Sequence, residues 1–265
     1  MLLRNALIGV SLAFALCALA GCSLIKKKDG FNDYKSGGTP TSNFKGEAET
    51  PQAASQNEVA LAQEYIKTGQ NEIALDRLQR AVKLDPSSAD AYTMLGFLYE
   101  KINRPEQAEA NFARSVKLAP NKGDILNNYG AWLCRSGHPT EADPLFRRAL
   151  GDPFYQTPAA ALGNAATCAL KAGKPDLAAT YNRQMLALDA NNLDALQAMA
   201  SMQYQRGDYL SARGFIERLL AAGKTTPDML NLAAQIEDKL GDTSTARDYR
   251  SRLATEFPQY STDKR

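Results

Sequence analysis

The chain has 265 residues, 44% of them hydrophobic and 23% charged, with 31 Lys and Arg against 29 Asp and Glu, a net charge of +2 and one histidine. This profile excludes a polytopic membrane protein, a collagen-like fibre and a wholly disordered chain. So even a charge balance exerts no general pull on phosphate backbones, and nucleic acid is not an expected partner.

The first segment reads as an address. Residues 1–21 carry a single charge, Arg4, ahead of the apolar run Ala6 to Ala20. The run has the length of a secretory h-region and falls short of the ~20 apolar residues that span a bilayer with flanking anchors. It ends in Leu19-Ala20-Gly21-Cys22, which resembles the lipobox of bacterial lipoproteins. By that resemblance Cys22 is acylated at the new N-terminus, and the uncharged Ser23 favours export to the outer membrane, with the protein on its periplasmic face. Each buried methylene contributes ~0.8 kcal/mol, so several acyl chains anchor the protein firmly in outer-membrane lipid. An uncleaved anchor, or an ordinary signal peptide with a chance cysteine, is the alternative. Residues 22–55 then hold the acylated Cys22 and a flexible tether: Lys26-Lys27-Lys28 and Gly37-Gly38-Thr39-Pro40 fall in a stretch without strand or helix periodicity.

Residues 56–260 form one domain in which a motif is written six times, over about 55–88, 89–122, 123–156, 159–192, 193–226 and 227–260. Ala74, Ala108, Ala142, Ala178, Ala212 and Ala246 recur at spacings of 34, 34, 36, 34 and 34. Five positions before these alanines stand Gly69, Gly137, Gly173, Gly207 and Gly241, with Asn103 taking that slot in the second repeat. This period and these markers are similar to the tetratricopeptide repeat, a helix–turn–helix hairpin that buries its apolar face by stacking on its neighbours. The implied fold class is all-α, a superhelical solenoid of six repeats.

The second repeat carries the signature most fully, in Tyr92, Leu95, Gly96, Tyr99, Ala108, Phe112 and Pro120. Gly96 and Ala108 sit where the helices of a hairpin cross and must be small. Repeats four to six are weaker matches: the key slots of the fourth hold Ala165, Ala166 and Ala169. The segment Gly151 to Pro158, at the two-residue insertion, has prolines at 153 and 158 and is expected to be a longer, extended connector. The sixth repeat is more polar outside, as a terminal cap should be.

Cleavage of the leader removes Cys17, and Cys134 and Cys168 remain as thiols. Both fall late in the first helix of their repeats, and first helices of successive repeats lie side by side in this architecture. A disulfide is therefore expected, contributing ~3–4 kcal/mol by the chain-entropy model and clamping the seam at the insertion. Two buried free thiols are the alternative.

Chemistry is sparse. His138 is the single histidine and follows Gly137 in a turn, so neither a catalytic triad nor a multi-histidine metal site can be built. There is no Gly-rich phosphate loop. No catalytic residue, metal, cofactor or small-molecule substrate is expected, and the chain reads as a non-enzyme.

What such a stack offers is a concave surface lined by its first helices. The corresponding slots hold Val59, Gln63, Ile66 and Lys67, then Thr93, Phe97, Glu100 and Lys101, then Asn127, Ala131 and Arg135. Ile66 and Phe97 are apolar where the fold does not require it, which points to an exposed hydrophobic groove for a polypeptide across the first repeats. Packing of these side chains on neighbouring helices is the alternative. Asn128 and Asn164 occupy the slot from which, in peptide-binding relatives, an amide grips an extended main chain; one donor end and one acceptor end match a peptide unit.

Lipobox, tether, six repeats, Cys134 with Cys168, and the stretch Asn127-Asn128-Tyr129-Gly130-Ala131-Trp132-Leu133-Cys134 together resemble the type IV pilus biogenesis lipoproteins of the PilF/PilW pilotin family. The resemblance implies an outer-membrane lipoprotein that binds a pilus secretin subunit and promotes its localisation and multimerisation, and hence pilus biogenesis and twitching motility. The first repeats around Ile66 and Phe97 would hold the secretin segment. The other reading is an adaptor lipoprotein scaffolding different cell-envelope machinery, for peptidoglycan or outer-membrane assembly.

Overall fold

The structure, a computed structural model, describes residues 50–222 and 225–260. The leader, Cys22 and most of the tether lie outside the described residues. Within them the chain is helical and paired. α1 (Pro51–Lys67) packs on α2 (Asn71–Leu84), α3 (Ala89–Lys101) on α4 (Pro105–Leu118) and α5 (Gly123–Arg135) on α6 (Pro139–Leu150). In the second half α7 (Pro158–Lys171) pairs with α8 (Pro175–Leu188), α9 (Leu193–Gln205) with α10 (Tyr209–Ala222) and α11 (Pro227–Leu240) with α12 (Thr243–Glu256). These twelve helices make six stacked hairpins, a tetratricopeptide solenoid.

Local chemistry sets the helix boundaries. Pro51, Pro105, Pro139, Pro158, Pro175 and Pro227 open helices, where the missing N–H costs nothing and φ is already helical. Thr50, Ser88, Asn192, Thr226 and Asp242 accept a backbone N–H from the first turn of their helices. Inside each hairpin the turn is made by a left-handed residue. Gly69, Gly137, Gly173, Gly207 and Gly241 have φ between 69° and 91°, and Asn103 takes the same conformation at 58°. Asparagine is among the few side chains that tolerate it. α1 begins at Pro51, earlier than the repeat period implies, because Thr50 caps it and Ser55 Oγ donates to the Ala81 carbonyl at 3.0 Å.

The core runs along the hairpin interfaces in three clusters. Leu78 and Leu98 centre the first, Phe112, Phe146 and Met199 the second, and Leu196, Ile216 and Ile236 the last. The cap is polar as expected: Ala246 is the one buried residue of α12. Beneath it, buried Glu237 receives a two-pronged hydrogen bond from Arg213 on α10.

The connector at residues 151–157 is a compact turn rather than an extended strand. The Asp152 carboxylate accepts from the Gly123 N–H at 2.8 Å and the Phe154 N–H at 2.9 Å. Those two bonds hold its carboxyl below the usual carboxylate range. Tyr155 folds back over Gly123, where a Cβ would come within 2.6 Å of its ring. The two prolines therefore close the loop around a carboxylate anchor. Cys134 and Cys168 are joined in a disulfide with their Cα atoms 5.6 Å apart, linking the C-terminal ends of α5 and α7.

Candidate protein-binding groove

The expected groove residues divide sharply by burial. Val59, Thr93 and Asn127 are buried rather than lining an open wall. Val59 belongs to the first core cluster. The Thr93 hydroxyl donates to the Ala89 carbonyl at 2.9 Å, and Asn127 Oδ1 accepts from Asn164 Nδ2 at 3.0 Å. A polar side chain that satisfies itself on its own helix or on the next loses little by burial. Gln63 is exposed, while Ile66, Phe97, Glu100, Asn128, Ala131 and Asn164 are half-buried.

Ile66 and Phe97 are thus less open than their slots suggest. Ile66 packs against the first core cluster, and its carbonyl accepts from Lys101 Nζ at 2.5 Å. Phe97 stands edge-on to Phe112 with ring centroids 5.1 Å apart. Phe112 in turn stacks near Tyr129 at 6.1 Å and Trp132 at 5.8 Å, and those two rings are 6.0 Å apart. Such offset and edge-to-face arrangements suit the ring quadrupoles and make a stiff wall. Above it Arg135 grips Glu100 with two hydrogen bonds of 2.9 Å, so the salt bridge spans α3 and α5. The wall that results is aromatic, partly open and rimmed by charge.

Tyr129 and Trp132 are members of this wall that slot-by-slot reading passes over. They are three residues apart on α5 and therefore share a face, a spacing that could have placed them. Burial, with Glu109 and Glu141 nearby, pushes the Tyr129 phenol up, so the ring stays neutral at physiological pH. His138 is exposed at the start of α6, 3.2 Å from Glu141 Oε1. Among the described residues no three His, Cys, Asp or Glu side chains are grouped to hold a metal.

Several known proteins share this repeat fold. Tetratricopeptide-repeat family models match residues 62–103, 89–122, 133–192 and 169–236. The type IV pilus assembly protein PilF of Pseudomonas aeruginosa is 26% identical over 200 residues, 76% of this chain and 79% of that protein. The crystal structure of PilW, described as a widely conserved type IV pilus biogenesis factor, superposes with a TM-score of 0.64 at 28% identity, covering 77% of this chain and 94% of PilW. A Pseudomonas aeruginosa PilF structure gives 0.67 at 25%, over 79% of this chain and 94% of that one. YrrB, described as a tetratricopeptide protein with an unusual peptide-binding site, shares the fold at 18% identity.

Proposed function

Because this chain belongs to the tetratricopeptide-repeat family and is homologous to the type IV pilus assembly protein PilF, we propose that it is a non-enzymatic adaptor of type IV pilus biogenesis. In this reading it is a pilotin, an outer-membrane lipoprotein that binds the pilus secretin subunit and promotes its localisation and multimerisation. The observation that carries the reading is coverage: the likeness to PilW and PilF extends over 94% of each of those structures, the repeat stack as a whole rather than one hairpin.

The physical logic is transport by tether. Acyl chains on Cys22 hold one end in outer-membrane lipid, and residues 23–49 separate that anchor from the repeats. The half-buried faces of Ile66 and Phe97 take an apolar strip of the client, while Gln63, Asn128 and the Glu100–Arg135 pair meet its polar edges. A partly pre-covered aromatic wall suits a chaperoning adaptor, since it binds a segment without exposing a large apolar patch when empty.

The test is deletion in the host bacterium, followed by immunoblotting of heat-resistant secretin multimers in outer membranes and a twitching assay. Loss of multimers and of motility is the expected result. Multimers that assemble normally at the outer membrane without this protein overturn the reading. At the residue level, Ile66→Glu should reduce multimers while the far-ultraviolet circular dichroism stays helical.

A further inference from the structure

The two ends of the stack are finished differently. Thirteen residues before each aligned alanine, the first helices of repeats two to six hold Leu95, Tyr129, Ala165, Met199 and Ala233, and each of these helices packs on the hairpin before it. Tyr129 is half-buried and the other four are buried. The same slot of repeat one holds Leu61, which is 46% exposed. Because α1 and α2 are the first hairpin among the described residues, Leu61 has the character of a residue between hairpins and the exposure of a surface one.

The second helix of repeat one adds Ile73, 42% exposed. A charge pair links the two. Glu58, three positions before Leu61 and so on its face of α1, accepts from Arg77 Nη1 at 3.3 and 3.4 Å, and Arg77 lies four positions after Ile73 on α2. In later repeats the slot of Glu58 is filled by Tyr92, Leu126, Leu162, Leu196 and Leu230, the last four of them buried. The slot of Arg77 is filled in repeat four by Tyr181, whose hydroxyl donates to Asp143 on the second helix of the preceding repeat at 2.5 Å. Repeat one has thus exchanged two interface side chains for an ion pair and kept an apolar one. That pair is partly open, its bonds longer than the 2.9 Å of Arg135 on Glu100. At the opposite end the polar helix α12 closes the stack, and the Tyr260 hydroxyl donates to Asp228 Oδ1 at 2.6 Å.

We propose that this end face of repeat one binds a second copy of the chain through the same face, the two copies related by a two-fold axis. Such a contact sets residues of one patch against residues of the identical patch, so the patch must complement itself. This one does, since it carries one carboxylate and one guanidinium between two apolar side chains. Glu58 of one copy meets Arg77 of the other, and Leu61 and Ile73 find apolar counterparts. A partner surface of uniform charge would set a like charge against one member of the pair, which is costly once water is excluded. The two α1–α2 hairpins then stack as successive hairpins do within the chain, and Leu61 is covered as Leu95 is. The inference does not depend on what binds at the wall around Phe97 or on the pilus reading.

The experiment is sedimentation equilibrium of the purified full chain in density-matched detergent micelles, reading mass against concentration. Wild type should pass from monomer to dimer. Leu61→Asp should raise the concentration of half-association at least about tenfold, the scale of one buried leucine. Leu210→Asp, which alters an exposed leucine of repeat five, should leave it unchanged. Glu58→Arg and Arg77→Glu should each weaken association, and an equal mixture of these two variants should restore it, because each copy then supplies the charge that the other needs. Circular dichroism checks that every variant stays helical. Should a charge variant unfold, the contrast of Leu61→Asp with Leu210→Asp decides; should Leu61→Asp unfold, the mixture decides. A wild type that remains monomeric to about 1 mM overturns the proposal and leaves the face to a helix of another protein. Equal association of wild type and a folded Leu61→Asp also overturns it, as does a mixture that associates no better than its components.

Discussion

In α4 and α6 a phenylalanine stands beneath a glycine of the preceding helix; in α8 an asparagine stands beneath an alanine. The backbones of these hairpins follow one plan, yet repeats two and three are filled by their own aromatic rings, while in repeat four the buried Asn182 meets Met202 of α9, below an open hollow of about 530 Å³ between α7, α8 and α9. The difference teaches that the markers building a hairpin are separate from the side chains filling it. The aligned alanine and the left-handed turn residue suffice to form the repeat. What occupies the space between helices is then free to vary.

The comparison is sharpest in stability. Phe146→Ala should cost about 3–5 kcal/mol, because a fully buried ring leaves a cavity in a close-packed site. Asn182→Ala at the equivalent position should cost about 1 kcal/mol or less, since its main hydrogen bond is to its own helix. Urea denaturation of the two variants measures both, and equal losses would mean that the two regions are packed alike.

The seam between the two regions comes next. The disulfide joins residues 34 apart in sequence, and its reduction should lower stability by about 3–4 kcal/mol on the chain-entropy account. Thermal melting with and without reductant should therefore show a clear drop. A melting temperature indifferent to reductant would separate the regions' stabilities from the crosslink.

The smallest expected effect is at the connector. The carboxyl of Asp152 is held below its ordinary value by the N–H groups of Phe154 and Gly123. A lowered folded-state value means that the ionised form stabilises the turn above the unfolded value, and that this contribution fades as pH falls through the lowered one. Asp152→Ala should thus melt slightly below wild type at neutral pH, with the gap closing as the pH falls below the ordinary carboxylate range. A gap that persists in acid would assign the difference to packing rather than to the charge.

Much of the fold is legible in the residue pattern. The recurring alanine locates each second helix, and the glycine five places before it locates each turn, including the case where Asn103 substitutes. Both signals are local, because a left-handed turn restricts side chains whatever surrounds it. The site is less legible. Slots on the inner face of a helix predict direction and not depth, so Val59, Thr93 and Asn127 read like Gln63 although they are buried. Phe97 reads as free, yet Phe112 on the next helix covers one of its edges. The connector's two prolines suggest extension, and a single carboxylate accepting two N–H groups makes it turn instead.

The sequence by itself determined the number of hairpins, their turns, the polar cap and the frame that brings Cys134 near Cys168, since each follows from short-range sterics repeated at a constant interval. Only the tertiary structure decided how deeply each inner-face residue sits, which rings form the wall and where a hollow is left. Those outcomes depend on volumes contributed by three helices at once, and no single stretch of chain contains that sum.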